Sequence, residues 1–321
     1  MKHHFYLIIN SNAGSGNGHR LGTALTALLD SKDLDYTAYF TKKAGDEGRF
    51  ALELAQEALI PFEEGKTYDR FPLLVVLGGD GTLSHVVDAL KDYPLVPIAY
   101  IPAGSGNDFA RANGIYTRDL DEALSNILMA TKPKRLHILE ALDKNYPMDR
   151  VLVNSFGIGI DGAVIQKMSQ STLKERMNKL GLGFLSYPLS LMSVLFHQAP
   201  FTATLKTGET VQTFENIYLL TTTNHPYFGG GINIAPTSHI QQAGIDIILI
   251  QKKSWWRVLQ IVGKLLQGKH LDHPDVHHFH GTDIHISVEK PQHAQIDGEL
   301  VDFQPFELNF KQASRYFWMG D

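Results

Sequence analysis

Three stretches join an apolar run to glycines and short polar side chains. Asn10-Ser11-Asn12-Ala13-Gly14-Ser15-Gly16 follows Phe5–Ile9. Gly78-Gly79-Asp80-Gly81-Thr82 follows the apolar run Leu73–Leu77, and Pro102-Ala103-Gly104-Ser105-Gly106-Asn107-Asp108-Phe109-Ala110-Arg111 follows Ile98–Ile101. Glycine lets the backbone come close to a phosphate and take positive φ. A helix starting just after such a bend offers free N–H groups and a positive dipole end to an anion. Asp80 adds a carboxylate to which Mg²⁺ or its water shell can bind. Together these features are suited to gripping a polyphosphate. The G-x-x-x-x-G-K-[ST] loop is absent, and the G-x-G-x-x-G register fails because His19 stands where its third glycine would be. A fourth motif, Asp297-Gly298-Glu299, carries two carboxylates. A strand there would put both on one face, where one could take the proton of an alcohol. A hairpin turn is the alternative.

The elements that must position these residues follow from periodicity. Strand signals at Phe5–Asn10, Tyr36–Phe40, Leu73–Leu77 and Ile98–Ile101 alternate with helical spacing over Arg20–Leu29, Asp46–Leu59, Thr82–Leu90 and Leu120–Ala130. Repeated βαβ units predict a doubly wound parallel sheet, so the three bends would lie along its carboxyl edge, where ligands of open α/β sheets bind. After Lys132-Pro133-Lys134, strand signals dominate, from Leu136–Leu142 and Val151–Ser155 through Thr202–Lys206, Phe214–Thr223 and Ile245–Gln251 to Asp283–Glu289, Ala294–Ile296 and Phe306–Phe310. Helical blocks over Asp161–Phe196 and Trp255–Leu266 interrupt them. The expected organisation is an α/β domain over 1–133 and a mainly antiparallel β-sandwich domain over 134–311. The apolar Arg315–Met319 is a final strand, so 312–321 is expected to complete the first domain.

Composition removes other classes. The chain has 321 residues, 43% hydrophobic and 20% charged, with a net charge of −5. That is globular composition without the basic excess of a nucleic-acid coat. The absence of cysteine excludes disulfides, thiolate metal sites and cysteine nucleophiles. Met1–His4 leads straight into a short apolar run, which is too short for a signal peptide core. Leu180–Leu205 lacks Asp, Glu, Lys and Arg but is broken by Pro188, which argues against a membrane span. A cytoplasmic protein is the expectation.

The three bends and the late acidic motif resemble the diacylglycerol kinase catalytic family, and the similarity extends over almost the whole chain. Gly78–Thr82 alone is shared with NAD kinases and is similar to a phosphofructokinase loop. The Asn107-Asp108-Phe109-Ala110-Arg111 element and Asp297-Gly298-Glu299 resemble lipid kinases. Gly229-Gly230-Gly231 followed by Ala235-Pro236 resembles the second-domain glycine turn of the family. The resemblance implies an NAD-kinase- and phosphofructokinase-like nucleotide domain, a β-sandwich domain, and an active cleft between them. It implies ATP and Mg²⁺ as cofactors and a lipid substrate met either in the cytoplasm or by peripheral contact at the inner membrane surface. By position, Asn10, Ser15, Thr41, Gly79, Asp80, Gly81, Thr82 and Ser105 would hold the nucleotide. Asp80 and Asp108 would hold Mg²⁺, and Asp297 and Glu299 would face the acceptor hydroxyl, one as general base. An NAD-kinase-like enzyme for a soluble acceptor and a nucleotide-binding regulatory protein are the alternatives.

The chain departs from the family pattern in four places. Ser11 replaces a proline, and Ser84-His85 replace Asn-Glu. His137 stands where a third acidic residue is expected, and Gln241-Gln242-Ala243-Gly244 replaces a loop that usually contains Asp-Gly and carries a structural Mg²⁺ in some relatives. Weaker signals complete the inventory. His270, His273, His277, His278 and His280 crowd one region, read as a solvated edge or a metal site. Lys167, Lys174, Arg176 and Lys179 form a basic segment, read as a solvated helix face or a contact for anionic headgroups. Trp255-Trp256 opens a helix and reads as core or interfacial. Tyr187, Leu191 and Leu195 at helical spacing read as core.

Overall fold

The computed structural model describes residues 1–170, 194 and 198–320, with the backbone alone at Ser15 and 168–170. The first lobe runs β1 (Lys2–Ile9), α1 (Ala13–Gly16), α2 (Gly18–Ser31), β2 (Tyr36–Phe40), α3 (Asp46–Glu57), β3 (Arg70–Gly78), α4 (Asp80–Ala89), β4 (Ile98–Pro102), α5 (Asp108–Ala112) and α6 (Leu120–Met129). Its strands pair in parallel in the order β2-β1-β3-β4. Both sheet faces are covered, so the strands are continuous apolar runs. Phe5, Leu7, Ile9, Leu73, Val75 and Leu77 pack under α2 and α6. Ile8, Leu74 and Val76 point the other way, under α3, α4 and α5.

The second lobe runs β5 (Lys134–Asp143), β6 (Met148–Leu152), β7 (Ser155–Gly159), α7 (Ile160–Gln170), β8 (Phe201–Thr207), β9 (Thr210–Thr223), β10 (Tyr227–Phe228), β11 (Ile232–Asn233), β12 (Ile245–Gln251), α8 (Trp255–Leu265), β13 (Val276–Gly281), β14 (Asp283–Ile296) and β15 (Glu299–Phe317). Its pairings are antiparallel and centre on Phe156, Phe306 and Phe310, which meet edge to face. The long strands β9 and β14 each pair with β8 through one half and with β7 through the other. Register shifts in β14 between Val288 and Ala294 bend it, as bulges do, and the sheet folds back over its own core.

Two expectations about strands change. Asp283–Glu289 and Ala294–Ile296 are one strand, because Pro291 sits within the irregular stretch where no ladder N–H is required. Phe306–Phe310 and the start of Arg315–Met319 also join, in the 19-residue β15, which ends at Phe317. The block Asp161–Phe196 is helical over Ile160–Gln170, and its remainder lies outside the described residues. So do Lys174, Arg176, Lys179, Tyr187, Leu191, Leu195 and most of Leu180–Leu205. Among the described residues, no helix is long and apolar enough to cross a membrane.

The end of β15 docks on the first lobe. Phe317 pairs in parallel with Ile98, and the Trp318 indole N–H donates to the Ile127 carbonyl at 3.1 Å. Arg315 is 2% exposed and donates to the carbonyls of Val87, Leu90 and Tyr93 at 3.2, 3.1 and 2.8 Å. It thus satisfies the Val87 carbonyl near the C-terminus of α4, where the helix dipole favours a cation, and adds a second donor to the carbonyls of Leu90 and Tyr93. Burial pulls the guanidinium pKa down to about 9. Arg315→Leu leaves the buried Val87 carbonyl without a donor and removes one of two donors from the carbonyls of Leu90 and Tyr93. A loss of about 2–4 kcal/mol in unfolding free energy is expected, measured by urea denaturation.

Candidate active site

The three glycine bends converge. Asn10 donates through Nδ2 to Thr82 Oγ1 at 2.7 Å, and its Oδ1 accepts from the Asn12 N–H at 3.0 Å, which ties the first bend to the second. Ser11, in the proline position, has an N–H to give. It donates to Thr41 Oγ1 at 3.2 Å, and its hydroxyl donates to the Thr41 carbonyl at 2.8 Å. The second and third bends touch at their backbones. A Cβ on Gly104 would lie 2.5 Å from Gly79 Cα, so this contact requires glycine. Asn107, at φ +55°, locks the third bend by accepting from the Gly104 N–H and donating to its carbonyl, both at 2.9 Å.

Asp80 sits in the first turn of α4, but its carboxylate reaches across. It accepts from the N–H groups of Asp108 and Phe109 at 3.1 and 3.2 Å, which are orphan donors at the start of α5. Asp108 in turn accepts from the Gly230 N–H at 2.9 Å and so ties the glycine turn of the second lobe to the first. Burial first, and then the charge of Asp80, push the Asp108 carboxyl up to about 6. Asp108 Oδ1 is buried without a hydrogen-bond partner among the described residues. Gly81 and Ser105 are placed within the second and third bends. Ser105 lines an open cavity with Gly14, Asn17, Arg20 and Arg118. The Ser15 side chain lies outside the described residues.

Asp297 and Glu299 do not share a strand face. Asp297-Gly298 is the two-residue turn between β14 and β15, with φ of +47° and +88° and Ile296 opposite Glu299. Positive φ at both positions suits Asp-Gly and matches the twist of a hairpin. The two carboxylates therefore diverge. Asp297 is buried and accepts from the N–H groups of Val153, Asn154 and Ser155, all at 2.9 Å, and from the Ser84 hydroxyl. Four donors fill the roughly four lone-pair positions of a carboxylate. Glu299 turns outward to His85, 2.5 Å from its Nε2, while Nδ1 of the same ring lies 2.5 Å from Glu47. His85, which stands where the family has a carboxylate, thus bridges α3 and β15. Those two partners raise its pKa to about 10, and its hydrogen bond holds Glu299 below the usual carboxylate range.

The structure adds a carboxylate that the motifs did not single out. Asp161, at the start of α7, lines the cleft together with Asp80, Asp108, Asn154 and Asp297. It accepts from Gln295 at 2.7 Å, and burial pushes its carboxyl up to about 6. Gly157 must be glycine because a Cβ there would lie 1.9 Å from Asp161 Oδ2. A small residue opposite an acid three or four positions later was the only signal in the sequence. Asp161 also lines an apolar cavity of about 170 Å³ walled by α7, β9, β12 and α8. Phe228 lines both spaces as well, so the polar cleft and the apolar cavity adjoin.

Two other expectations resolve here. His137 does not line the cleft, because its ring bonds to Gln312 on β15. The C-terminal histidines are distributed over several partners. His278 and His280 both face Asp246, His270 faces the Ile234 carbonyl, and His277 faces Gln251. Among the described residues, no group of three or more His or acidic side chains converges as a metal site.

The molecule is a doubly wound lobe whose glycine bends meet the turns of a β-rich lobe across an acidic cleft. Residues 4–141 match the model of the diacylglycerol kinase catalytic domain, and residues 154–312 match the YegS C-terminal NAD kinase beta sandwich-like domain. The chain thus carries a diacylglycerol kinase catalytic domain followed by a YegS C-terminal domain. It is 28% identical to YtlR of Bacillus subtilis, provisionally named a lipid kinase, over 95% of this chain and 96% of that protein. It is 25% identical to the diacylglycerol kinase of Staphylococcus carnosus, over 95% of this chain and 92% of that one. A solved Bacillus anthracis structure, provisionally named a diacylglycerol kinase, superposes with a TM-score of 0.75 at 22% identity, covering 98% of this chain and 95% of that one. These findings support a phosphotransferase of the lipid-kinase type.

The His85 bridge sets a pH dependence of stability. Its folded pKa lies above the unfolded value of 6.5, so its contribution is complete below about 6.5 and is lost as pH rises through about 10. In urea titrations between those limits, His85→Gln is expected to flatten the decline of stability with rising pH.

Proposed function

We propose that the protein transfers the terminal phosphoryl group of ATP to a hydroxyl of a lipid such as a diacylglycerol or a sphingoid base. The observation that carries this reading is the adjacency of the acidic cleft and an apolar cavity, which share Asp161 and Phe228 as walls. A soluble acceptor such as a dinucleotide has rings to stack but no long aliphatic chain to bury. An acyl or sphingoid chain needs apolar burial beside a hydroxyl held at a carboxylate.

The nucleotide belongs at the converged bends. The N-terminus of α4 at Gly79–Thr82 presents backbone donors to the phosphates, and the first and third bends supply the walls. Mg²⁺ fits this cleft. Asp108 Oδ1 is a buried acceptor without a donor, and two like-charged carboxylates stand close enough to raise one pKa. Two protein carboxylates plus water and phosphate oxygens suit an ion that keeps much of its hydration shell. When bound, the cation would neutralise charge on the transferred group.

On the acceptor side, the geometry favours Asp161 over Asp297. The Asp297 oxygens are already occupied by four donors, and Glu299 is paired with a protonated His85. Asp297 is a positioning residue that orders the segment 153–155 beside Asp80. Asp161 sits where polar and apolar walls meet. A carboxyl near 6 is ionised at neutral pH and still basic enough to receive a proton. The acceptor oxygen forms its bond to the terminal phosphorus as its proton passes to Asp161, and the bond to ADP breaks on the far side.

Incubation with ATP, Mg²⁺ and a panel of lipid alcohols, with NAD as the competing soluble acceptor, is expected to give phosphorylated lipid by mass spectrometry. Asp80→Ala should abolish transfer. Asp161→Asn should lower kcat about 10²- to 10⁴-fold while ATP binding, followed by calorimetry, is retained. Transfer that survives Asp80→Ala rejects the site, and phosphorylated NAD without phosphorylated lipid rejects the acceptor.

A further inference from the structure

Helix α8 packs on the sheet through Val258 and Ile261, yet much of its remaining surface is apolar. Of the fourteen exposed large apolar side chains among the described residues, five lie here: Trp255, Trp256, Leu259, Val262 and Leu266. Trp256 is 77% exposed and Leu266 83%. Trp255, Leu259, Val262 and Leu266 recur at steps of four, three and four, which is one stripe of a helix beside the buried one. An ordinary solvated helix does not carry such a second stripe.

The stripe is continuous with the lipid-type cavity, because Val262 and Leu266 also line it. Its surroundings are cationic. Lys252 and Lys253 precede the helix, Lys269 follows it, and Arg257 and Lys264 lie on its polar side. No acidic residue occurs between 252 and 269, although the whole chain carries a net charge of −5. Buried Asp275 balances one of these charges, pairing with Lys253 and Arg257 at 2.9 Å each. Lys252 packs its ammonium over the rings of Trp255 and Tyr218, at 4.1 and 4.4 Å, and Tyr218 is itself a cavity wall. A cation is therefore held at the rim where apolar stripe and cavity meet.

We propose that α8 is the membrane-docking face of the protein. Its apolar stripe lies in the interface of an anionic bilayer, and its flanking lysines contact the headgroups. The charge complementarity selects an anionic surface, and the paired tryptophan and leucine side chains are of the kind that insert at the headgroup boundary. The choice of a bilayer as partner rests on the lipid-acceptor reading. In this arrangement the cavity mouth faces the layer from which an acyl chain enters.

The test separates docking from catalysis. The full chain is sedimented with phosphatidylcholine vesicles, with and without phosphatidylglycerol, in the absence of nucleotide. Binding is expected to the phosphatidylglycerol vesicles and to weaken at high salt. The double variant Trp256→Glu, Leu259→Glu alters side chains that lie outside both cleft and cavity. It should bind these vesicles about tenfold or more weakly. Its transfer of phosphate to a short-chain, water-soluble diacylglycerol should stay unchanged, while transfer to a long-chain acceptor in vesicles falls. Absence of wild-type vesicle binding, or equal binding by the variant, overturns the proposal. So does an equal loss of transfer to both acceptors, which would make α8 part of the acceptor site. Self-association abolished by the same substitutions, without vesicle binding, would assign the face to a second copy of the chain. Should no acceptor be phosphorylated, the kinase reading fails while the sedimentation result still decides the docking face.

Discussion

The cleft depends on buried carboxylates that accept backbone N–H groups from another segment of the chain. Asp80 accepts from the start of α5, Asp108 from the glycine turn of the second lobe, and Asp297 from three consecutive N–H groups at 153–155. A loop cannot be buried with its donors unpaired, so each of these segments needs an acceptor to lie where it does. An anion is the strongest acceptor available, and the same anions give the cleft its charge. Architecture and chemistry are thus the same set of side chains. Burial raises the pKa of Asp80, Asp108 and Asp297, which makes a cation or a proton welcome there.

β15 carries this arrangement from one lobe to the other. At its beginning, the hairpin turn sets Asp297 against 153–155 and Ser84, and Glu299 against His85. At its end, Arg315 donates to carbonyls at the C-terminus of α4, and Phe317 joins the parallel sheet. Helix α4 is therefore held at both ends by one strand of the other lobe, and its N-terminus is the second glycine bend. His85 adds a charged bridge from α4 to both Glu47 and Glu299, a device the family pattern does not contain.

The polar cleft and the apolar cavity divide the work by polarity, and the second lobe contributes to both. Glycine, backbone N–H groups and carboxylates line one side of the junction, while aliphatic side chains of β9, β12 and α8 line the other. Asp161 stands on the border. This division suits an amphiphile whose hydroxyl must meet a phosphate while its tail stays dry. It also explains why an amphipathic helix lies at the outer end of the apolar side.

Local patterns were legible to the extent that local physics determines them. Tyr36–Phe40 and Ile245–Gln251 are strands with the bounds that alternation and flanking residues mark. The glycine bends announced a close approach of backbones, as Gly104 makes against Gly79, because such an approach admits few other residues. The strand reading of Asp297-Gly298-Glu299 failed because two-residue periodicity does not detect a turn whose φ values are positive. Asp161 stayed hidden because one acid in an apolar stretch has no spacing to mark it. By itself, the amino-acid order determined the alternation of strands and helices, the glycine-lined bends and the supply of acids, since these follow from neighbours a few positions apart. Only the tertiary structure decided which acids bond to backbone, which face the cleft, and where the apolar cavity opens. Those outcomes depend on burial and on partners more than a hundred residues away, which no local pattern encodes.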